Sequence, residues 1–351
     1  MQSIEQMLAR LDTAIKEGIT TTDLGSSILN PMQFAAFVRA MQAKTCVIPE
    51  ARYINMTSEK ANIDRVGFVG RVLSGGKTQD GTQNVPTQVK PSYQTNQLIA
   101  QELVAITGLY DTAKRRNIEL DQHVNTLIAL LGEAGGRDAE EYGLLADKDY
   151  AGEDDYLFLT DGWVKLAANK IYGVGASKDF DPSATFDPDD PMTLAFPENM
   201  FEAMLSALPK EYLQDRSSWR LYASFGVVND YANILKARQT ALGDIAQTTG
   251  GSQAAQPNLK TYWLPFKGIP VVHTPMIERS AAVGDGGAGD VALLSHPDNM
   301  PWGVFEQVTV EPERKPQERK TNFVLTMEAD VNYEDENAAV ASYIDQEVPG
   351  S

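Results

Sequence analysis

Apolar and polar positions alternate most regularly near the C-terminal end of the chain. Apolar side chains occupy every second position from Phe323 to Tyr333, which predicts a strand with one buried face. The segment Trp302 to Val310 has the composition of a partner strand, and residues 311–319 are predicted to join the two. A short helix is predicted over Glu336 to Ile344.

A helical period marks the middle of the chain. Leu120, Val124 and Leu131 share one face of a long helix predicted over Glu119 to Leu145, which the pair Gly135 and Gly136 is expected to bend or interrupt. Further elements are predicted from shorter patterns: a helix face at Phe201, Leu205 and Leu208, a strand over 220–227, a helix over 229–240, and either a strand or a helix over 98–107. Strands on both sides of the long helix indicate an α+β fold.

The N-terminal hundred residues contain too few large apolar side chains to bury themselves. Two small amphipathic helices are predicted before residue 45, and together they form a weak core. Residues Ile63 to Tyr93 have strand-like flanks around a centre rich in Gly, Gln, Asp and Asn, which predicts a long hairpin with a flexible tip. Both segments are expected to lie on another surface.

Charge and cysteine content narrow the function classes. The chain has 48 acidic and 30 basic residues, a formal charge of −18, and nucleic-acid affinity comes largely from Lys and Arg. We therefore expect the chain to be a poor general binder of nucleic acid. Cys46 is the single cysteine, so no internal disulfide forms. No apolar run approaches the length of a membrane span, and the mixed-charge N-terminus is not a signal peptide, so we expect no membrane contact.

Two glycine-rich segments approximate known ligand-binding motifs. Gly70 to Thr78 approximates a phosphate-binding loop but has five residues between Gly70 and the Gly-Lys pair, and no helix follows. We interpret it as the hairpin tip and keep a P-loop nucleotide-binding enzyme as a distant alternative. Residues 286–290 approximate a calcium-binding repeat with its Asp one position early, which favours a plain loop. The acidic stretch from Asp179 to Asp190 is interpreted as a solvated surface.

The sequence offers no catalytic motif. His123, His273 and His296 are far apart, and the sequence has neither an HxxxH nor a CxxC. Nucleophile motifs such as GxSxG are absent from the sequence, as is HExxH. We therefore predict that the protein is not an enzyme and has no catalytic, cofactor-binding or metal-binding residues.

Segments spread over about 300 residues resemble one family in order and spacing. They are Phe34 to Arg52, Ile63 to Pro91, Tyr110 to Asp147, Phe158 to Trp163, Asp230-Tyr231, Ala237 to Asp244, Gly268 to Val272, His296 to Gly303 and Val310 to Val331. This series resembles the major capsid proteins of tailed bacteriophages, the Hong Kong 97-type shell proteins.

The resemblance implies a fold with four parts. These would be an N-terminal arm (1–62), an extended β-hairpin loop (63–95), a peripheral domain with a long spine helix and long strands (96–150 and 297–351), and an axial domain (151–296). In this family the arm and the loop lie across neighbouring subunits. The residues expected to make inter-subunit contacts are Phe34, Phe37, Val38, Phe68, Arg71, Lys77 and Lys90.

The resemblance also implies partners. Copies of the chain would form hexamers and pentamers of an icosahedral head, assembled in the host cytoplasm, that encloses double-stranded DNA without binding it specifically. A portal, decoration proteins and a scaffolding protein are implied partners. The arm-like sequence begins almost at Met1, so we expect a scaffold to be a separate protein. Some members crosslink through a loop lysine, for which Lys77 and Lys90 are candidates. An encapsulin-like cellular compartment with the same fold is the alternative function.

Overall fold

The chain combines helices with mostly antiparallel sheets. The computed structural model describes residues 45–67, 72–73, 90–110, 120–149, 156–173, 178–190, 192–238, 264–278 and 291–344. The strands are β1 (Arg52–Asn55), β2 (Lys60–Gly67), β3 (Ser92–Ile99), β4 (Gln101–Tyr110), β5 (Asn169–Tyr172), β6 (Arg220–Ala223), β7 (Leu264–Phe266), β8 (Ile269–His273), β9 (Val291–Ser295), β10 (Pro301–Lys315), β11 (Lys320–Val331) and β12 (Ala339–Tyr343). The helices are α1 (Leu120–Leu145), α2 (Trp163–Leu166), α3 (Phe196–Ala207) and α4 (Phe225–Ala237).

Short 3₁₀ turns connect several of these elements. They lie at Tyr156–Phe158, Lys210–Gln214, Arg216–Ser218, Pro275–Glu278, Pro297–Asn299 and Glu336–Ala338. The predicted mixture of helix and strand is therefore confirmed.

The first sheet has four strands in the order β1-β10-β11-β4. Strands β10 and β11 form a long antiparallel hairpin, from Trp302 opposite Val331 to Lys315 opposite Lys320. The predicted alternation holds on β11, where Phe323, Leu325 and Met327 are all buried. The strands extend into the expected connection, so the turn between them is reduced to residues 316–319.

Helix α1 packs on the buried face of this sheet. It runs for 26 residues, and the expected interruption at Gly135 and Gly136 is wrong. A Cβ at Gly135 would meet nothing within 4 Å. Near the C-terminal end of the helix, the fully buried Tyr142 donates its hydroxyl to the carbonyl of Ala329 at 3.4 Å, which ties the helix to β11.

The second sheet has six strands in the order β5-β12-β9-β6-β8-β7. Its central strands β6, β9 and β12 are buried at every position, as expected for a sheet covered on both faces. One face packs against α3 and α4, where Phe201 meets Tyr231 and Phe266 edge-on at 5.2–5.4 Å between ring centroids. The other face joins the core that contains α1 and β11.

The chain ends differently from the prediction. The short helix expected over 336–344 is wrong, because only Glu336–Ala338 forms a single 3₁₀ turn. Residues Ala339–Tyr343 form β12, which pairs parallel with β5 and antiparallel with β9. All five side chains are buried, so neither face of this strand is exposed to water, as is typical of a central strand.

Two further boundaries differ from the sequence pattern. The strand predicted over 220–227 ends at Ala223, because Ser224 begins helix α4 and accepts the amide of Val227 at 3.5 Å. The helix predicted over 229–240 therefore starts four residues earlier. The ambiguous segment 98–107 forms strands: its first two residues end β3, Ala100 links the strands, and residues 101–107 lie in β4.

Candidate assembly surface

The inner part of the predicted long hairpin is present, and residues 68–71 and 74–89, which include its expected flexible tip, lie outside the described residues. Strands β2 and β3 pair antiparallel, from Lys60 opposite Ile99 to Gly67 opposite Ser92. Its outer end exposes large side chains, since Val66 and Tyr93 face each other across the strands and are 58% and 72% exposed. Soluble chains leave few such side chains together in water unless another surface covers them.

The base of the hairpin is fixed by apolar packing. Ile63 and Leu98 are buried with Met56 in a small cluster of their own. Phe305 of β10 packs against this cluster. A Cβ on Gly303 would lie 2.8 Å from both Leu98 and Met56, so β10 approaches the hairpin base closely. The base of the hairpin is therefore held by apolar packing, and its outer end is exposed.

Asp330 adds hydrogen bonds at the base of the hairpin. Its carboxylate accepts the amide of Ile99 and the hydroxyl of Thr160, each at 2.7 Å. Burial raises the pKa of Asp330 above its usual range, against the opposing effect of these hydrogen bonds. The period-2 pattern placed Asp330 on the solvent face of its strand, and it is instead 4% exposed because β3 and the loop before α2 cover it.

Arg65 connects the hairpin to the second sheet. Its guanidinium forms an ion pair with Asp335, and its Nη2 donates to the hydroxyl of Tyr212 at 3.3 Å. Burial raises the pKa of Asp335, but the hydrogen bond from Tyr212 and the charge of Arg65 outweigh it, so the pKa is lowered overall. Asn96 adds a bond from its side-chain amide to the carbonyl of Tyr333 at 2.7 Å.

Strand β4 presents a second exposed apolar row. It lies at the end of the four-stranded sheet and, among the described residues, has a strand partner on one side only. Val104, Ile106 and Tyr110 point outward and are 53%, 65% and 55% exposed. An exposed edge strand with apolar side chains is typical of a surface that pairs with another chain.

Most predicted contact residues fall outside the described part of the chain. These are Phe34, Phe37, Val38, Phe68, Arg71 and Lys77. Lys90 is described and exposed, two residues before β3 begins. Its role in subunit contacts or crosslinking stays a prediction. The polar contacts of the hairpin through Arg65, Asp330 and Asp335 were missed because single charged residues give no signal of their partners in the sequence.

The acidic stretch supplies local hydrogen bonds. Asp181 pairs with Lys178 at 2.7 Å and accepts from Ser183, while Asp187 accepts the amide of Asp189 at 2.9 Å. Within the described ranges, no three His, Cys, Asp or Glu residues converge as a metal site. The glycine-rich segment 286–290 and most of the segment 70–78 lie outside those ranges.

The two histidine side chains that the structure describes contact different residues. His296 accepts the amide of Asp298 through Nδ1 at 3.2 Å and meets the ring of Trp219 edge-on. The ring of His273 contacts the ring of Phe225. The side chain of His123 is not among those that the structure describes. In the part of the chain that the structure covers, none of the helices is long and apolar enough to span a membrane.

Comparison with known proteins shows what the chain is similar to. No family model matches it. The "Putative prophage capsid protein YqbE" of Bacillus subtilis (strain 168) is 29% identical over 322 residues, which cover 91% of this chain and 93% of that protein.

Solved structures agree with this relative. A chain of the satellite phage P4 procapsid including size determination (Sid) protein superposes over 100% of both chains, with a TM-score of 0.59 and 13% identity. A chain of the bacteriophage PhiM1 mature capsid covers 87% of this chain and 88% of its own, with a TM-score of 0.52 and 13% identity. The resemblance to phage major capsid proteins is thereby confirmed: the chain is related to a prophage capsid protein and has the fold of phage capsid proteins.

Proposed function

We propose that the chain is the major capsid protein of a tailed phage or prophage and that it builds the shell of the virion head. The observation that carries the proposal is its 29% identity to a prophage capsid protein over 91% of its length. The function is structural, and the proposal requires neither a cofactor nor a catalytic residue.

The proposed fold is of the Hong Kong 97 type, with an arm (1–62), an extended loop (63–95), a peripheral domain (96–150 and 297–351) and an axial domain (151–296). The β2–β3 hairpin supports the loop assignment, and α1 with β10 and β11 supports the peripheral domain. Strand β12 lies in the six-stranded sheet, so Ala339–Tyr343 fits the axial domain better than the peripheral one.

In the proposed shell, subunits form hexamers and pentamers by head-to-tail contacts that close into rings. The outer hairpin, with Val66 and Tyr93, would lie on a neighbouring subunit, which would bury the apolar area that the chain leaves exposed. The edge strand β4 is a second surface for such contacts. Each contact can be modest, because every subunit has several neighbours.

The enclosed molecule is proposed to be double-stranded DNA. With a formal charge of −18, the chain lacks the excess of Lys and Arg that neutralises phosphates and grips nucleic acid. A shell of such subunits would hold packaged DNA without specific binding. A separate scaffolding protein, a portal and decoration proteins are the proposed partners, and assembly would take place in the host cytoplasm.

Negative-stain electron microscopy of the purified full chain after size exclusion tests this proposal. The chain is expressed alone and together with its neighbouring genes. Closed shells, or rings of five and six, support the proposal. A monomer under both conditions contradicts it. Shells that enclose an enzyme instead of DNA favour the encapsulin-like alternative.

A further inference from the structure

The turn formed by residues 45–51 joins residues 1–44 to the described fold, and a single carboxylate holds it. Glu140 of helix α1 accepts the backbone amides of Cys46 at 2.7 Å, Val47 at 2.9 Å and Ile48 at 3.5 Å, all on Oε2. Glu140 is 1% exposed, and Val47 is fully buried. Three successive amides on one oxygen form a cradle for negative charge.

A second carboxylate fixes the other end of this turn. The Nε of Arg220, on β6, donates to Oε2 of Glu50 at 3.0 Å, and the hydroxyl of Tyr222 lies 3.4 Å from the same oxygen. Oε1 of Glu50 is buried without a hydrogen-bond donor among the described residues. The turn is thus held between α1 and β6 by two acidic side chains and one guanidinium.

Glu140 lies on the buried part of helix α1. Buried side chains of the same core include Ala139, Tyr142 and Ile277. Cys46 and Tyr222 are close enough to interact electrostatically with this carboxylate. Glu50 and Arg220 interact in turn with Tyr222. Burial raises the pKa of the Cys46 thiol to about 12, so the thiol stays neutral.

We propose that Glu140 is an ionisable anchor for the turn 45–51, so that the attachment of this turn to helix α1 depends on the protonation state of Glu140. The inference goes beyond the proposed function, because it concerns the single chain and requires no assembly. The turn is where residues 1–44 join the described fold.

The direction of the pH dependence follows from burial. Burial raises the pKa of Glu140 to about 7, against the opposing effect of the three amides. When the turn opens, water reaches Glu140, and its pKa returns towards the ordinary value of about 4.3. The closed turn therefore binds the proton more tightly than the open turn. Acidic pH favours the closed turn, and raising the pH from about 5 to 8 loosens it.

Hydrogen exchange of the full chain measures this opening. Peptides that contain the amides of Cys46, Val47 and Ile48 are followed from pH 5.5 to pH 8, with exchange corrected for the intrinsic rate at each pH. In the wild type we expect protection to fall by about tenfold across this range. In Glu140→Gln, which keeps an acceptor oxygen but cannot ionise, we expect protection to be independent of pH.

Glu141→Gln is the matched control, since Glu141 is the next residue on the same helix, is also buried, and accepts the hydroxyl of Tyr156 at 2.9 Å. Its profile should follow the wild type. Constant protection in the wild type, or an equal slope in Glu140→Gln, would overturn the proposal. The wild-type profile decides the matter by itself if the Gln variant fails to fold.

Discussion

Arg65 on β2 and Asp335, four residues beyond the end of β11, form an ion pair that joins the outer half of the hairpin to the connection before β12. The same carboxylate accepts the hydroxyl of Tyr212. Asp335 also caps the 3₁₀ turn that leads into β12 through the amide of Asn337. One acidic side chain therefore links the hairpin, the connection before β6 and the last strand of the fold.

Arg65→Gln should disturb assembly more than stability. The Arg65 side chain is 36% exposed, and partly exposed ion pairs contribute about 1 kcal/mol or less to folding. The hairpin should nevertheless lose its fixed angle. We expect a small change in the urea midpoint and a several-fold loss of particles in size exclusion.

Arg52→Gln is the control for this change, because Arg52 pairs with Glu334 at 2.6 Å beside the same segment but lies on β1, outside the hairpin. It should leave particle yield unchanged. Equal particle losses in both Arg variants would argue against a specific role for Arg65.

Because the pKa of Asp335 is lowered overall, the stability that its ionised form contributes should be present at neutral pH and disappear below about pH 4.

Asp330→Ala should cost about 1–3 kcal/mol of unfolding free energy, because it leaves the amide of Ile99 and the buried hydroxyl of Thr160 without their acceptor. Thr160→Val removes one of these donors. In urea titrations of both single variants and the double variant, we expect the two losses to be non-additive. Additive losses would show that the contact between Asp330 and Thr160 contributes nothing measurable.

Two glycine substitutions should act in opposite directions. A Cβ at Gly162 would lie 2.7 Å from the carbonyl oxygen of Leu144, and backbone cannot move aside as a side chain can. Gly162→Ala should therefore destabilise by about 1–3 kcal/mol. Gly135→Ala lies in open space within α1 and should stabilise by about 0.5–1 kcal/mol. Thermal unfolding of both variants checks the pair: stabilisation by Gly162→Ala would contradict the close packing at Gly162, and destabilisation by Gly135→Ala would contradict the open space at Gly135.

Ile106→Lys tests the exposed row on β4. Because Ile106 is 65% exposed, the introduced charge should change the free energy of unfolding by less than about 0.5 kcal/mol. We expect particle formation to fall sharply, since a buried lysine at a contact between subunits would be unpaired. Met192→Lys, at an 84% exposed apolar side chain near the acidic stretch, is the control. If Ile106→Lys assembles as well as Met192→Lys does, β4 is not a contact surface.

The sequence predicted the elements whose pattern is periodic and missed the contacts that fix them. Alternation identified β11, and helical spacing identified α1, because each buries one continuous face. The run Ala339–Tyr343 has no such periodicity, and its partners β5 and β9 are distant in sequence, so β12 was mistaken for helix. Glu140 and Asp330 resemble surface residues in the sequence, because burial by remote segments leaves no local signal.

The measurement that bears most directly on the proposed shell is a cryo-electron microscopy reconstruction of particles formed by the full chain with its neighbouring genes. We expect an icosahedral shell of five- and six-membered rings, with the outer part of the β2–β3 hairpin lying on an adjacent subunit and DNA-like density inside. A reconstruction in which Val66 and Tyr93 fold back onto their own subunit, or in which the chain forms no closed assembly, would contradict a shell built through this hairpin.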